Sequence, residues 1–198
     1  CAGADLKEML ATNSEAERLE FFGGLAKVLK AMSQSPLPIV AKVHGFAFAG
    51  GCGLAAASDI VLASSEAQFA LPEVKLGLAP MVVMAPLSRS VSHKALAEMV
   101  LSGETIKAEQ ALAMGLVTRI VDKIRLDQEA EDLAKKIAAL APLALKATRE
   151  GLRDVSEMQY ADLLSDLPKR IAKLSLSSDA REGIEAFFSK RTPIWSGK

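Results

Sequence analysis

The stretch Phe46–Asp59, FAFAGGCGLAAASD, decides how this chain is read. It follows an apolar run, LPIVAKVHG, from Leu37 to Gly45. The β-branched content of Pro38–Val43 predicts a buried strand. The quoted segment then opens as a loop, and the small residues from Gly51 to Ala57 predict a helix that packs close to its neighbours. Two glycines at that turn, Gly50 and Gly51, mean that something approaches the backbone more closely than a Cβ allows. The start of the helix also presents N–H groups that have no partner within the helix.

Working outward, Ser14-Glu15-Ala16-Glu17 reads as a capping box, with Ser14 as N-cap and Glu17 reaching back. The helix it opens is expected to run to about Ser33, with Leu19, Phe22, Leu25, Val28 and Leu29 on one face. Ile60–Ala63 and Ala67–Ala70 are expected strands. Pro80–Val91 reads as a loop leading into a helix, Lys94–Leu101 as a helix, and the segment from Lys107 as a helix stopped by Gly115. A strand is expected over Leu116–Val121. From Leu126 the pattern is helical almost to the end, with breaks expected at Pro142 and Pro168. Strands alternating with helices, then helices alone, predict an α/β core with parallel pairing and a helical C-terminal part. The expected division is 1–124 for the core and 125–198 for the helical region.

Half of the 198 residues are apolar, enough for a sizeable core. Lysine plus arginine and aspartate plus glutamate balance at 24 each. Zero net charge gives no electrostatic reason to expect nucleic acid or an anionic membrane as a partner. The mixed-charge stretches KKIAAL and LKATRE are too dilute for an RNA site. Two cysteines, Cys1 and Cys52, make no disulfide framework, which fits a reducing compartment. No apolar stretch approaches the ~20 residues of a membrane span. A cytoplasmic location is expected, with the mitochondrial matrix open because the chain begins without Met.

Three stretches could carry chemistry. In AGADLKEM, Ala2–Met9, Gly3 permits a tight backbone before a short turn of helix. AGGCGL, from Ala49, offers the same arrangement. Two such places can aim two backbone N–H groups at one oxygen, an oxyanion hole; tight turns and close helix packing explain either one taken alone. In FALPEVKLGLAP, Phe69–Pro80, Glu73 follows Pro72 among apolar residues. Desolvation there would raise its pKa and make it a proton shuttle; a Glu favoured by the helix dipole is the plainer reading. The only histidines are His44 and His93. His44 suits a backbone-bonded structural role, and no His/Cys/Asp/Glu cluster has metal-ligand spacing.

Taken together, AGADLKEM, the run from Pro38 to Pro80, ALAEMVLSGETIKAEQALAMGLVTRIV and EGIEAFFSKRTPIW resemble the enoyl-CoA hydratase/isomerase (crotonase) family over essentially the whole chain. The resemblance implies a crotonase-like ββα spiral core with a helical C-terminal oligomerisation region. It implies trimers or pairs of trimers, an acyl-CoA substrate and no cofactor beyond it. Family members are usually longer at the N-terminus, so the chain is expected to lack the first part. By resemblance, Ala4 and Gly50 are the two oxyanion-hole N–H donors and Glu73 is a catalytic carboxylate. Asp5, Leu6 and Lys7 match a segment whose backbone runs along the coenzyme. Lys190 matches a basic residue that can approach the nucleotide phosphates, and is equally a solvated surface lysine.

The sequence departs from the family's hydratases at one carboxylate. Hydratases use two glutamates that hold one water. Glu73 matches the second of them, and Gly53 stands where the first is expected. One base beside an oxyanion hole suits isomerase-type proton transfer instead. A hydratase that recruits another residue or water, and a CoA-binding protein with little activity, are the alternatives. After Pro80 the sequence MVVM, with Met81 and Met84 as candidate acyl contacts, makes that wall apolar or is ordinary core packing.

Overall fold

Capping chemistry sets the first two helices of the computed structural model, which describes residues 1–198. Helix α1, Leu6–Ala11, is capped by the Asp5 carboxylate, which accepts from Lys7 N–H at 2.8 Å and Glu8 N–H at 3.4 Å. Helix α2, Glu15–Gln34, opens on the expected box: Glu17 N–H donates to Ser14 Oγ at 3.3 Å, and Ser14 N–H donates to Glu17 Oε2 at 3.1 Å. The backbone N–H groups of Asn13 and Ser14 hold the Glu17 carboxyl below its ordinary value. No residue of α2 is fully buried, and Leu19 and Val28 stand exposed. The apolar face expected to be core is therefore only partly so: Leu25 packs against the core, and other residues of the helix line a cavity described below.

Short strands follow: β1 Val40–Val43, β2 Phe46–Phe48, then helix α3 Gly50–Ala56, then β3 Ile60–Ser64 and β4 Gln68–Ala70. A 3-10 turn spans Pro72–Leu76, followed by α4 Met81–Ser90, α5 His93–Ser102, β5 Ile106–Lys107, α6 Ala108–Met114 and β6 Arg119–Val121. Two three-stranded sheets result, in the orders β1-β3-β6 and β2-β4-β5. Pairing is parallel throughout the first sheet and between β2 and β4, and antiparallel between β4 and β5. Segment 46–48, expected as loop, is thus a strand; its ladder partner lies at residues 68–70, beyond what a local pattern shows.

The chain divides into two compact units. The first comprises 1–34 and 39–131, and its core gathers around Cys52, Val61, Phe69, Leu71, Leu87 and Met99. Phe69 is fully buried, and truncating such a ring to alanine costs about 3–5 kcal/mol. Helix α4 departs from expectation: it runs straight through Pro86, where a loop was expected. Proline deletes one ladder bond there, and α4 is held by buried Val83 and Leu87 instead.

The second unit comprises 35–38 and 132–198. The helix α7, Leu126–Ala138, begins in the first unit and ends in the second. Then come α8 Pro142–Glu157, α9 Tyr160–Leu174 and α10 Ser178–Phe188. Pro142 sits at the first position of α8, where its missing N–H is harmless. Pro168 does not break the chain; it lies inside α9, and the break falls at Met158–Gln159. The α8–α9 pair is tied by buried Asp154, which accepts from Arg170 Nη1 at 2.5 Å and Arg153 Nε at 3.1 Å. Arg170 foremost holds the Asp154 carboxyl below the usual range. The last residues fold back on α10: Asp179 accepts from Ser196 N–H at 2.7 Å, and Trp195 Nε1 donates to Ala139 O at 2.8 Å.

Candidate active site

A cavity of about 470 Å³ opens in the first unit. Its lining draws on five places: the 2–9 segment, α2, the β2–α3 turn, the 3-10 turn at Pro72 and the start of α4. Ala4, Gly50 and Glu73, far apart in sequence, all line it.

The β2–α3 turn is shaped by Ala49, whose backbone sits at φ 50°, ψ −117°, a region an L-residue rarely adopts. Ala49 N–H donates to Ala70 O at 2.9 Å, which ties the turn to β4. As N-cap it offers no side-chain acceptor to the first turn of α3. Neither Ala4 N–H nor Gly50 N–H enters a backbone hydrogen bond of a loop, turn or cap. The two loops touch: a Cβ at Gly3 would meet the Ala49 Cβ at 2.8 Å and Gly50 N at 3.5 Å.

The closest approach to the glycine pair comes from the chain itself. A Cβ at Gly51 would stand 2.4 Å from Cys1 O. Cys1 lies alongside β2, accepting from Phe48 N–H at 2.9 Å and donating to Phe46 O at 2.9 Å. Gly50 has more room, with Leu25 Cδ2 at 3.4 Å from its would-be Cβ. Gly53, one turn further, faces α4: its would-be Cβ lies 2.5 Å from Val83 Cγ1 and 2.9 Å from Val83 Cβ. The space beside position 53 is filled by valine.

Glu73 stands on the 3-10 turn Pro72–Leu76, fixed by Leu78 N–H donating to Glu73 O at 3.0 Å and by the Lys75–Glu104 ion pair at 2.7 Å. Its Oε2 is buried with no hydrogen-bond partner. Burial raises the Glu73 carboxyl above its ordinary value, outweighing a backbone hydrogen bond that lowers it. Cys52, buried in α3, is pushed up to about 12, first by burial and then by the Glu73 charge. Glu73 is the only ionisable side chain in the lining.

Other expected contacts divide. Leu6 and Met81 line the cavity. Met84 does not: one turn along α4 it packs against the core. The Asp5 side chain is taken up in capping α1, and Lys7 is exposed outside the lining. Lys190 belongs to the second unit, exposed just after α10 with φ 51°, and is not a lining residue. His44 is exposed, and its carbonyl accepts from the buried Ser64 Oγ at 3.2 Å. Sequence reasoning missed Phe21 and Met9 as cavity residues; the adjacent Phe21–Phe22 pair was the available signal, because a core-facing stripe uses only one of two neighbours.

The family model for enoyl-CoA hydratase/isomerase matches residues 1–198. This chain belongs to the enoyl-CoA hydratase/isomerase family. Among its relatives, the mitochondrial enoyl-CoA hydratase domain-containing protein 3 of Rattus norvegicus is 36% identical over 207 residues, covering 98% of this chain and 65% of the relative. Carnitinyl-CoA dehydratase of Salmonella typhi is 37% identical over 202 residues, covering 100% of this chain and 77% of the relative. The chain thus spans about two thirds to three quarters of the length of these relatives. Among solved structures, an enoyl-CoA hydratase of Mycobacterium smegmatis matches with TM-score 0.94 at 35% identity, covering 98% of this chain and 76% of that one. Human enoyl-CoA hydratase domain-containing protein 3 matches with TM-score 0.94 at 32% identity, covering 98% and 77%. The fold is the crotonase fold expected from the motifs. No helix is long and apolar enough to cross a membrane.

Proposed function

We propose that this family member binds an acyl-CoA thioester and moves a proton with one carboxylate, as an enoyl-CoA isomerase does. The observation that carries this reading is Glu73 as the only ionisable group in a cavity also lined by Ala4 and Gly50. The thioester oxygen accepts from the Ala4 and Gly50 N–H groups. Glu73 takes a proton from the α-carbon of a β,γ-enoyl thioester. The C–H electron pair moves into the conjugated system, giving a dienolate whose negative charge rests on the thioester oxygen. Glu73 returns the proton at the γ-carbon, leaving the α,β-enoyl thioester. No electrons are gained or lost, so the reaction needs no redox cofactor.

The magnitudes are adequate. One oxyanion donor is worth about 3–4 kcal/mol of transition-state stabilisation, and a positioned base contributes ~10²–10⁴-fold. Hydration asks for a second carboxylate to bind the water, and Val83 fills the space beside Gly53 where it would project. Apolar residues exposed on the second unit, among them Leu152, Leu164 and Phe187, support assembly into trimers or pairs of trimers. The test is a side-by-side assay of 3-enoyl-CoA isomerisation and crotonyl-CoA hydration. Isomerisation is expected to dominate and to fall ~10²-fold or more in Glu73→Gln, with acyl-CoA binding little changed. Hydration faster than isomerisation in the unaltered protein would overturn the single-base reading. Acyl-CoA binding with neither reaction would point to a CoA-binding protein.

A further inference from the structure

The base of the proposed reaction stands on a turn that its own packing does not fix. None of the residues of the 3-10 turn Pro72–Leu76 is buried, and Val74 and Leu76 are exposed. Leu78 N–H donates to Glu73 O, and Gly77 N–H donates to Val74 O at 3.3 Å. Both bonds shape the turn, and neither ties it to another element. The chain enters it from buried Ala70 and Leu71, so packing leaves open the swing of the turn about that anchor. Glu73 Oε2 is buried without a partner. Burying a polar atom unpaired costs free energy, and swinging the carboxylate out to water would relieve that cost.

The contact that opposes this swing comes from the end of α5. Gly103 caps α5 with φ 62°, and its N–H donates to Met99 O at 3.1 Å. A Cβ there would lie 3.2 Å from both Lys75 Cε and Val74 Cγ2, so the bare glycine lets the turn rest against the chain. Glu104 closes the contact: its Oε1 accepts from Lys75 Nζ at 2.7 Å. Glu104 is itself set, because its N–H donates to Ser102 Oγ at 3.2 Å and that hydroxyl donates to Glu98 O of α5 at 2.7 Å. Two residues on, Ile106 pairs with Phe69 of β4. The short segment 103–107 therefore grips both the strand that leads to Glu73 and the turn that carries it.

We propose that Lys75 and Glu104 are positioning residues for Glu73: their ion pair, closed over Gly103, holds the turn so that the Glu73 carboxylate faces the cavity instead of solvent. The proposal rests on the single-base reading of Glu73. The paired side chains are 49% and 71% exposed, which bounds the effect, since an exposed pair shifts a two-state balance by up to about five-fold. Burial foremost, and then a backbone hydrogen bond, act on the Glu73 carboxyl, so loss of the pair tells through the position of the turn.

The experiment compares the intact protein with Lys75→Met, which keeps an apolar stem against Gly103, with Glu104→Gln, and with the exchanged pair Lys75→Glu/Glu104→Lys. Lys123→Met, which breaks another exposed ion pair of 2.7 Å, with Glu66, is the control. One readout is kcat and KM for 3-enoyl-CoA isomerisation across pH. The other is the titration of the Glu73 carboxyl by carbon-13 NMR, its signal assigned with Glu73→Gln. In both single variants kcat is expected to fall ~2–5-fold with KM little changed. The Glu73 carboxyl is expected to titrate closer to the ordinary 4.5 as it reaches water. The exchanged pair should recover both readouts, and Lys123→Met should leave both at the parent's values. Unchanged readouts in the single variants, a loss of kcat with no movement of the Glu73 titration, or an exchanged pair no better than the single variants would each overturn the proposal. A parent protein without isomerase activity, whose Glu73 titration still moves in the variants, would remove the single-base reading and leave the positioning role standing.

Discussion

Gly53→Ala tests the packing that replaces a second carboxylate. In an open helix this change stabilises by ~1 kcal/mol, because alanine is the better helix former. At position 53 the new methyl would stand 2.5 Å from Val83 Cγ1 and 2.9 Å from Val83 Cβ, whereas carbon atoms pack at about 3.5–4.0 Å. Turning the valine moves the methyl but leaves its Cβ in place. Helices α3 and α4 must therefore separate by a fraction of an ångström to roughly one. Overpacking of this kind costs about 1–3 kcal/mol and should exceed the propensity gain. With the new methyl 2.9 Å from a fixed Cβ the cost belongs to the upper part of that range, about 2–3 kcal/mol, so the expected net loss is about 1–2 kcal/mol, or roughly 2–8 °C in Tm for a chain of this size. Thermal unfolding followed by circular dichroism reads it directly. Val83→Ala also destabilises alone, by opening a cavity, but the double variant should lose less than the sum by about 1 kcal/mol or more. Gly53→Glu should gain crotonyl-CoA hydration only when combined with Val83→Ala. A Gly53→Ala protein as stable as its parent, or an additive cycle, would refute the reasoning.

Three further outcomes are expected. Burial raises the folded-state pKa of Glu73, so the folded protein holds that proton more tightly than the unfolded chain, and stability falls as pH rises from the ordinary Glu value of 4.5 through the raised one. Glu73→Gln has no charged form to bury. In denaturant titrations it should be at least as stable as the parent at pH 7, the difference closing below pH 4.5, and a Glu73→Gln protein less stable at pH 7 would contradict the burial. Ala49→Gly should raise Tm, because strain of ~1–3 kcal/mol at this φ exceeds the ~0.5–1 kcal/mol entropy of added glycine; a lowered Tm would mean that the turn is unstrained. Asp179→Ala removes the acceptor of the Ser196 and Gly197 N–H groups, so amide exchange at residues 194–198 should accelerate while that of β3 stays unchanged.

The elements that carry strong apolar periodicity were legible in the sequence, and so were the stretches holding Ala4, Gly50 and Glu73, because each pairs glycine or proline with a helix start. What escaped was set by distant partners. β2 became a strand through pairing with residues 68–70. Pro86 and Pro168 stayed within helices because packing elsewhere on α4 and α9 outweighs one lost backbone bond. Met84 fell outside the lining because α4 turns it to the core, and a run such as MVVM does not say which of its faces meets a cavity. The identity of Val83 as the residue facing Gly53 lies in no local pattern, since thirty positions separate them.

That pairing also bears on the order in which such a site can change. Any side chain introduced at 53 meets Val83, and any trimming at 83 leaves a void beside 53. Each first step lowers stability before a second step can confer water-binding chemistry. A lineage carrying both residues therefore faces a barrier in either direction, and the route across it runs through compensation acquired elsewhere in the fold, before either of these positions moves.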